Sequence, residues 1–286
     1  MSERRFRYAY NLVTYGAEPV ERGIERLHRF GYDAVEVPGD PSPDMVTRIG
    51  AALAGTGMTV SSVSCLFTPD RDLTASSAWT RRNALDYLLR VAEMAGDLGA
   101  PVINVAPAAV NRVRFESAPE REWAWAVDGL RTAAQAAAGH SQLAIEPWNR
   151  YETHLINRLD QAVQLARDVG HPAVGVMADL FHMNIEERSP LDALAAGLPW
   201  LRHIQFADNT RAAPGTGTLR FRPYLELLAG SGYRGVIAFE LFPAKAHPLQ
   251  AVAEGSAPEF FDPYTRASIE YLLAEERDLG AEPVSR

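Results

Sequence analysis

Short apolar runs recur along this chain, and most of them are followed by a longer stretch with helical spacing. Intervening stretches such as EPVERGIERLHRF and EREWAWAVDGLRTAAQAAAG place apolar residues three and four positions apart, as helices with one buried face do. The runs read as β-strands and are FRYAYNL (6–12), AVEV (34–37), TVSSVSCLF (59–67), PVINVA (101–106), LAIEP (143–147), VGVMAD (174–179), RHIQFAD (202–208) and VIAFELF (236–242). Eight strand–helix units without a linker-like break predict parallel strands. We therefore expect an α/β protein, a single (β/α)8 TIM barrel that occupies residues 1–286.

An open, doubly wound sheet is the competing arrangement. It would bind a dinucleotide or a phosphate on a glycine-rich loop after a strand, and no run is followed by such a loop. A length of 286 residues and a hydrophobic content of 47% suit one barrel with a large core. The proline-rich segment 242–264, which precedes the last helical stretch, is expected to form a lid or an oligomer contact.

The net charge of the chain limits the classes of partner that it is expected to bind. The formal net charge is −8 and the basic residues are scattered, which argues against nucleic acid and anionic membranes as partners. The lone cysteine, Cys65, excludes an intrachain disulfide framework and fits a reducing compartment. The start of the chain has no apolar stretch like that of a signal peptide, and no later stretch is long enough to span a membrane. We expect a cytoplasmic enzyme of small molecules, with Cys65 as a small buried hydrophobe.

Polar residues stand at the ends of five of the predicted strands, where barrels carry their working side chains. They are Glu36, Glu146, Asp179, Gln205 and Glu240. The last four come from consecutive strands, so barrel closure would bring them to one side of the mouth. Three carboxylates and an amide oxygen form a hard donor set for a divalent cation, and without one the carboxylates would repel each other.

Each of these residues also has a simpler interpretation. A single acid after a strand often caps the next helix, and for Glu36 this interpretation is as good as the functional one. Gln205 could simply form a hydrogen bond inside the barrel.

Three further polar residues follow closely enough to reach the same pocket. They are Glu152 in the loop with Trp148, His182 three residues after Asp179, and Arg211 on the Gly/Pro-rich loop after the seventh run. A guanidinium above such a cluster can bind substrate oxygens.

Four segments together resemble the motifs of ketose 3-epimerases of the D-tagatose/D-psicose type, within the xylose isomerase-like barrel superfamily. They are IEPWNRYETHLIN, ADLFHMNIEE, FADNTRAAPGTG and GYRGVIAFELF. The resemblance implies metal binding by Glu146, Asp179 and Glu240 and substrate binding by Glu152, His182 and Arg211. One position departs from the epimerase pattern. Gln205 stands where the epimerases usually have a metal-ligand histidine. The hydroxypyruvate isomerase-like members resemble this chain in having a glutamine there. His203 lies two residues earlier on the same strand, at a deeper level of the barrel.

These observations predict a metal-dependent isomerase, most simply a ketose 3-epimerase that works through an enediolate. Glu146 and Glu240 are the expected acid and base, and Asp179 and Gln205 complete the ligands of a divalent metal. Manganese is the first choice, with magnesium or cobalt as alternatives. We expect a sugar as substrate and a homo-oligomer, a dimer or a tetramer. The alternatives are a hydroxypyruvate- or inosose-type isomerase, a 3-keto-glycoside lyase, and a non-catalytic sugar-binding subunit.

Overall fold

Eight parallel strands form one sheet in the computed structural model, which describes residues 4–245, 248–255, 257–277 and 279. The strands are β1 (Arg7–Tyr10), β2 (Ala34–Pro38), β3 (Thr59–Cys65), β4 (Val102–Val105), β5 (Gln142–Ile145), β6 (Val174–Asp179), β7 (Leu201–Phe206) and β8 (Val236–Phe239). Their order is β1-β8-β7-β6-β5-β4-β3-β2. At the remaining seam the backbone N–H of Asp33 donates to Tyr8 O (3.0 Å), and Asn11 and Glu36 form an isolated parallel bridge. The strands therefore close into the (β/α)8 barrel that the sequence predicts.

Helices follow the strands and cover the outside of the barrel. They are α1 (Val20–Arg29), α2 (Pro43–Leu53), α3 (Ala78–Asp97), α4 (Pro119–Ala137), α5 (Leu159–Val169), α6 (Leu180–Glu186), α7 (Pro190–Gly197), α8 (Arg222–Ser231), α9 (Pro248–Ala253) and α10 (Phe261–Arg277). In α1 the buried residues Val20, Ile24 and Leu27 recur at helical spacing and face the sheet. The side chain of Ser77 accepts a hydrogen bond from Thr80 N and thereby caps α3. Among the described residues, no helix is long and apolar enough to cross a membrane.

Burial on both faces explains why the strand sequences are almost continuously apolar. All six residues of β6 are buried, as expected for a parallel strand that is covered by helices on one face and by the barrel interior on the other. Gly175 is required in β6, because a Cβ at this position would lie 2.4 Å from the carbonyl oxygen of Trp200.

The barrel interior contains a layer of small apolar residues and, nearer the carboxyl-terminal ends of the strands, a layer of polar residues. Ala9, Ala34 and Ala238 pack together in one buried cluster. Two positions further along the same strands or just beyond them stand Asn11, Glu36 and Glu240, whose side chains point to the same face as the alanines. The layer of small residues leaves room for the polar layer, and that polar layer forms the site described next.

The structure places Glu36 differently from the sequence prediction and describes only part of the expected lid. Glu36 does not follow the second strand as expected but lies within β2, where the pairing with β3 shifts register between Val35 and Glu36 and places Glu36 opposite Ser62. In the expected lid, α9 and the 3-10 turn Pro258–Phe260 are present, while residues 246, 247 and 256 lie outside the described residues. Residues 1–3, 278 and 280–286 of the predicted domain also lie outside them.

Candidate active site

The predicted acids meet at the carboxyl-terminal mouth of the barrel. Glu146 follows β5 directly, Asp179 is the last residue of β6, and Glu240 follows β8 directly. Gln205 in β7 is the cross-strand partner of Asp179. Residues that are far apart in the sequence are thus placed on neighbouring strands, as the barrel prediction requires.

A cavity of about 530 Å³ opens above these residues, which is an ordinary size for a small-molecule site. Its polar lining includes all three predicted substrate-binding residues, Glu152, His182 and Arg211, together with Glu240 and Asn111. Its apolar wall consists of Val13, Ala17, Leu66, Val110, Trp148, Phe242, Val252 and Ala253. The last two belong to α9, so the segment expected to form a lid does contribute to this cavity.

Arg211 bridges two of the acids. Its Nη1 donates to Asp179 Oδ2 at 2.5 Å and its Nη2 donates to Glu240 Oε2. The guanidinium lies 4.6 Å from the ring centre of Phe181 and 5.4 Å from that of Phe242. The backbone of Arg211 has a φ of 64°, which is uncommon for a residue with a side chain, and its carbonyl accepts from Phe242 N at 2.9 Å. The loop therefore holds this buried cation over the acids.

The carboxyl groups of Glu146 and Glu240 have raised pKa values. Burial is the main cause for Glu146, and the charges of Glu240 and Asp179 raise its pKa further. For Glu240, burial outweighs the opposing effect of Arg211 and raises the pKa to about 8. Both groups can thus hold a proton near neutral pH when no further positive charge is present.

The donor set fits a divalent cation. Oε1 of Glu146 and Oε1 of Gln205 are buried and have no hydrogen-bond partner among the described residues. Such orphaned oxygens are costly unless something binds them. When all three carboxyl groups are ionised, the guanidinium of Arg211 leaves about two of their negative charges uncompensated, and a divalent cation would compensate these.

Gln205 is oriented by Glu36. The fully buried carboxylate of Glu36 accepts hydrogen bonds from Gln205 Nε2 (2.6 Å) and His203 Nε2 (2.6 Å) across the barrel. It also accepts from Ser62 Oγ (2.7 Å) and Ser64 Oγ (2.7 Å). Because a carboxylate only accepts, the amide nitrogen of Gln205 must face Glu36, and its oxygen must face away. His203 lies one level deeper than Gln205 on the same face, as the sequence predicts.

His182 lies among the acids but is better suited to bind substrate than metal. Ligand atoms of Glu146, Asp179 and His182 lie within 4.8 Å of one another, which is close enough for one cation. However, the backbone N–H of Asn149 donates to His182 Nδ1 at 3.2 Å, so in the neutral ring the proton is on Nε2. Burial lowers the pKa of His182 and keeps the ring neutral. The Nε2–H group is therefore a hydrogen-bond donor that lies 3.6 Å from Asp179 Oδ2 and 3.8 Å from Glu146 Oε1.

Glu152 is held by its own loop and by the loop after β4. Its Oε1 accepts from Asn149 Nδ2 at 2.7 Å. Its carbonyl accepts from Asn111 N at 2.8 Å, and Arg112 and Thr153 form a parallel bridge beside this bond. Two loops therefore support the carboxylate that faces the cavity.

Three asparagines of the site were missed by the sequence reasoning. Asn11 donates to Glu240 Oε1 at 2.9 Å, Asn104 donates to Glu36 Oε2 at 3.0 Å, and Asn149 orients His182. Asn11 and Asn104 each interrupt an apolar run, in YAYN and VINV, which is the same signal that identified the acids.

The family model of the xylose isomerase-like TIM barrel matches residues 24–262. The chain belongs to this family. Among curated proteins, the 3-dehydro-D-guloside 4-epimerase of Escherichia coli (strain K12) is 30% identical over 241 residues, which are 81% of this chain and 90% of that protein. The D-psicose 3-epimerase of Ruminiclostridium cellulolyticum is 28% identical over 77% of each chain.

Solved structures show the same fold. The D-psicose 3-epimerase of Clostridium cellulolyticum H10, solved with D-tagatose, has a TM-score of 0.83 at 22% identity and covers 95% of this chain and 99% of its own. The 3-keto-D-glucoside 4-epimerase of E. coli has a TM-score of 0.76 at 26% identity and covers 88% and 98%. Because the curated relatives are epimerases, the chain is an enzyme of the sugar epimerase type, and the predicted isomerase class is confirmed. These relatives do not favour the keto-acid isomerase, lyase and non-catalytic alternatives.

Proposed function

We propose that this epimerase is metal-dependent and inverts C3 of a free ketose through an enediolate. One observation carries the proposal. Two carboxyl groups at the mouth of the barrel have raised pKa values: Glu240 lines the cavity, and Glu146 Oε1 lies 3.8 Å from Nε2 of His182, which also lines it. Two carboxyl groups that exchange protons near neutral pH are what a reaction needs when it removes a proton from one face of a carbon and returns one to the other.

The metal would be held by Glu146, Asp179, Gln205 and Glu240. When bound, it would supply Lewis-acid polarisation of the substrate carbonyl and compensate the negative charge of the enediolate. The orphaned oxygens of Glu146 and Gln205 support this assignment.

The proton steps belong to the two glutamates. The carboxylate of one takes the proton from C3, the C–H electron pair forms the C2–C3 double bond, and the carbonyl electrons move onto the oxygen. The carboxylic acid of the other then donates a proton to the opposite face of C3 as the carbonyl forms again. Asn11, which donates to Glu240 Oε1, holds that carboxyl group in place.

Three further groups would fix the sugar. His182 Nε2–H and the guanidinium of Arg211 donate to substrate oxygens, and Glu152 accepts from a hydroxyl. The apolar wall of the cavity, with Trp148 and Phe242, excludes water and would strengthen these bonds.

Proton exchange with solvent tests this proposal. Free ketoses are incubated with the protein and Mn²⁺ in D₂O, and deuterium at C3 and the epimer ratio are read by NMR. We expect uptake at C3 together with inversion in the intact protein, and loss of inversion in Glu146→Gln and in Glu240→Gln, because each variant keeps a proton-transferring group on only one face of C3. Inversion should be retained in Glu226→Gln, a control at an exposed glutamate of α8. Turnover without deuterium uptake in the intact protein would refute the enediolate route.

A second candidate is 4-epimerisation of a 3-keto-glycoside. It is favoured by the E. coli 3-dehydro-D-guloside 4-epimerase, which is 30% identical to this chain over 81% of its length. The chemistry is the same, with the carbonyl at C3 and the exchanged proton at C4. Adding a 3-keto-glycoside to the D₂O panel distinguishes the two, because deuterium would then appear at C4 of the glycoside and in none of the free ketoses.

A further inference from the structure

A second cavity lies at the opposite, amino-terminal end of the barrel. Its volume is about 670 Å³, and its lining residues stand at or before the starts of strands, among them Arg7, Pro101, Gln142, Ala173 and Val236. The proposed catalytic groups stand at the other ends of the strands. We call this space the N-terminal cavity.

The N-terminal cavity is strongly basic in a protein with a net charge of −8. Its lining includes Arg7, Arg202 and Arg234 with His140, His171 and His203, and none of its lining residues is an aspartate or a glutamate. Three guanidiniums in one acid-free cavity create a local positive potential.

The three arginines of this cavity are not engaged by a carboxylate of the described part of the chain. Arg7 donates to Thr59 Oγ1 (2.7 Å) and a backbone carbonyl, while Arg202 and Arg234 each donate to one backbone carbonyl at 3.3 Å. Within the described ranges none of the three forms an ion pair, whereas Arg26 pairs with two acids and Arg112 with three. Their capacity to bind an anion is therefore still available.

The side chain of Arg202 is held in a fixed position at the amino-terminal end of the barrel. Its Nε is buried and has no partner among the described residues. Its side chain crosses β6 at Gly175, where a Cβ would lie 2.6 Å from Arg202 Cγ and 3.1 Å from Nε. An unpartnered buried donor held in a fixed position is costly unless a ligand binds it.

We propose that the N-terminal cavity binds the phosphate group of a small phosphorylated molecule. Planar guanidiniums bind phosphate oxygens through paired, charge-assisted hydrogen bonds, and three of them suit a group with two negative charges. The space is larger than a phosphate alone needs, and Pro101, Val102, Pro172 and Val236 offer apolar contacts to an organic part.

Calorimetric titration tests the site with three probes: AMP, pyrophosphate and adenosine. The protein is treated with a chelator, so that no cation at the other end of the barrel can bind the phosphate. We expect AMP and pyrophosphate to bind with a Kd of about 1 mM or tighter, and adenosine, which has the same organic part as AMP, not to bind.

Two variants and a control locate the binding. Arg202→Gln and Arg234→Gln should each weaken AMP binding by about tenfold or more, while Arg90→Gln, at an exposed arginine of α3, should leave it unchanged. Because Arg234 is exposed, its variant keeps the test valid if Arg202→Gln does not fold. AMP binding no better than adenosine, or equal AMP affinity in both cavity variants and the intact protein, would overturn the proposal.

Discussion

Replacing Gln205 by leucine separates a metal ligand from a residue that only forms a hydrogen bond inside the barrel. The substitution removes the donor to Glu36, a bond to a charged acceptor that contributes about 1.5–3 kcal/mol. It also removes the orphaned buried Oε1, whose presence costs about 1–3 kcal/mol. The two changes offset each other, and Glu36 keeps four donors: His203, Ser62, Ser64 and Asn104. Without metal, we therefore expect the free energy of unfolding to change by less than about 1.5 kcal/mol.

With metal, the same variant should show a clear loss. A lost ligand, or a lost group that supports one, weakens affinity by about 10–100-fold, which is about 1.4–2.7 kcal/mol of metal-dependent stabilisation. The assay is titration with Mn²⁺, read by the melting temperature and by the free ion concentration.

Asn104 provides the matched control. Like Gln205 it donates to Glu36 through a buried amide and has an orphaned oxygen, but it lies on β4. Asn104→Leu should resemble Gln205→Leu in metal-free stability and keep the Mn²⁺ affinity of the intact protein. Unchanged Mn²⁺ affinity in Gln205→Leu, with a stability loss like that of Asn104→Leu, would refute the reasoning and leave Gln205 a barrel residue.

Four further predictions follow from the site. Gln205→His should shift the metal preference towards Co²⁺ or Ni²⁺, because imidazole is a softer donor than an amide oxygen; competition titrations check this, and an unchanged preference contradicts it. Asp179→Ala should abolish tight Mn²⁺ binding in the same titrations, and retained binding would remove Asp179 from the ligand set. Glu146→Gln and Glu240→Gln should each lower kcat by at least about 10²–10⁴-fold, and near-normal epimerisation by either would exclude its assigned role. In chelator-treated protein, the folded state binds the Glu240 proton more tightly than the unfolded chain does, so stability should fall as the pH rises from about 4.5 to about 8. Urea unfolding at several pH values checks this, Glu240→Gln should flatten the decrease, and rising stability across this window would contradict the raised pKa.

The sequence predicted the barrel well because both of its signals are local. Continuous apolar runs and helical spacing depend on neighbouring residues only, and each predicted run contains or overlaps the strand found. The ends were less accurate: the last run was expected to reach Phe242, but β8 ends at Phe239. Glu240 and Phe242, just beyond β8, line the cavity, and Leu241 between them is buried, so an apolar run at this point does not mark a strand.

The long-range contacts of the site could not be read from the sequence. The hydrogen bonds from His203 and Gln205 to Glu36 span more than 160 positions and join strands that are not neighbours in the sheet, so no local sequence pattern predicts them. The bridge from Arg211 to Asp179 and Glu240 depends on the positive φ of a loop residue. The roles of the site residues, the metal, the oligomeric state and the cytoplasmic location stay predictions.

Three glutamates of the polar layer show how environment assigns different roles to one residue type. Burial acts on Glu36 as it does on Glu146 and Glu240, but the hydrogen bond and charge of His203, with the hydroxyls of Ser62 and Ser64, outweigh it and lower the pKa of Glu36. Glu36 therefore stays ionised and can only accept hydrogen bonds, which suits a residue that orients the amide of Gln205. Glu146 has no such set of donors and keeps a free oxygen, so its carboxyl group remains available to bind a cation or to carry a proton. The difference lies in the number of donors around each carboxylate, and this number is set by which residues the neighbouring strands place at the same level of the barrel.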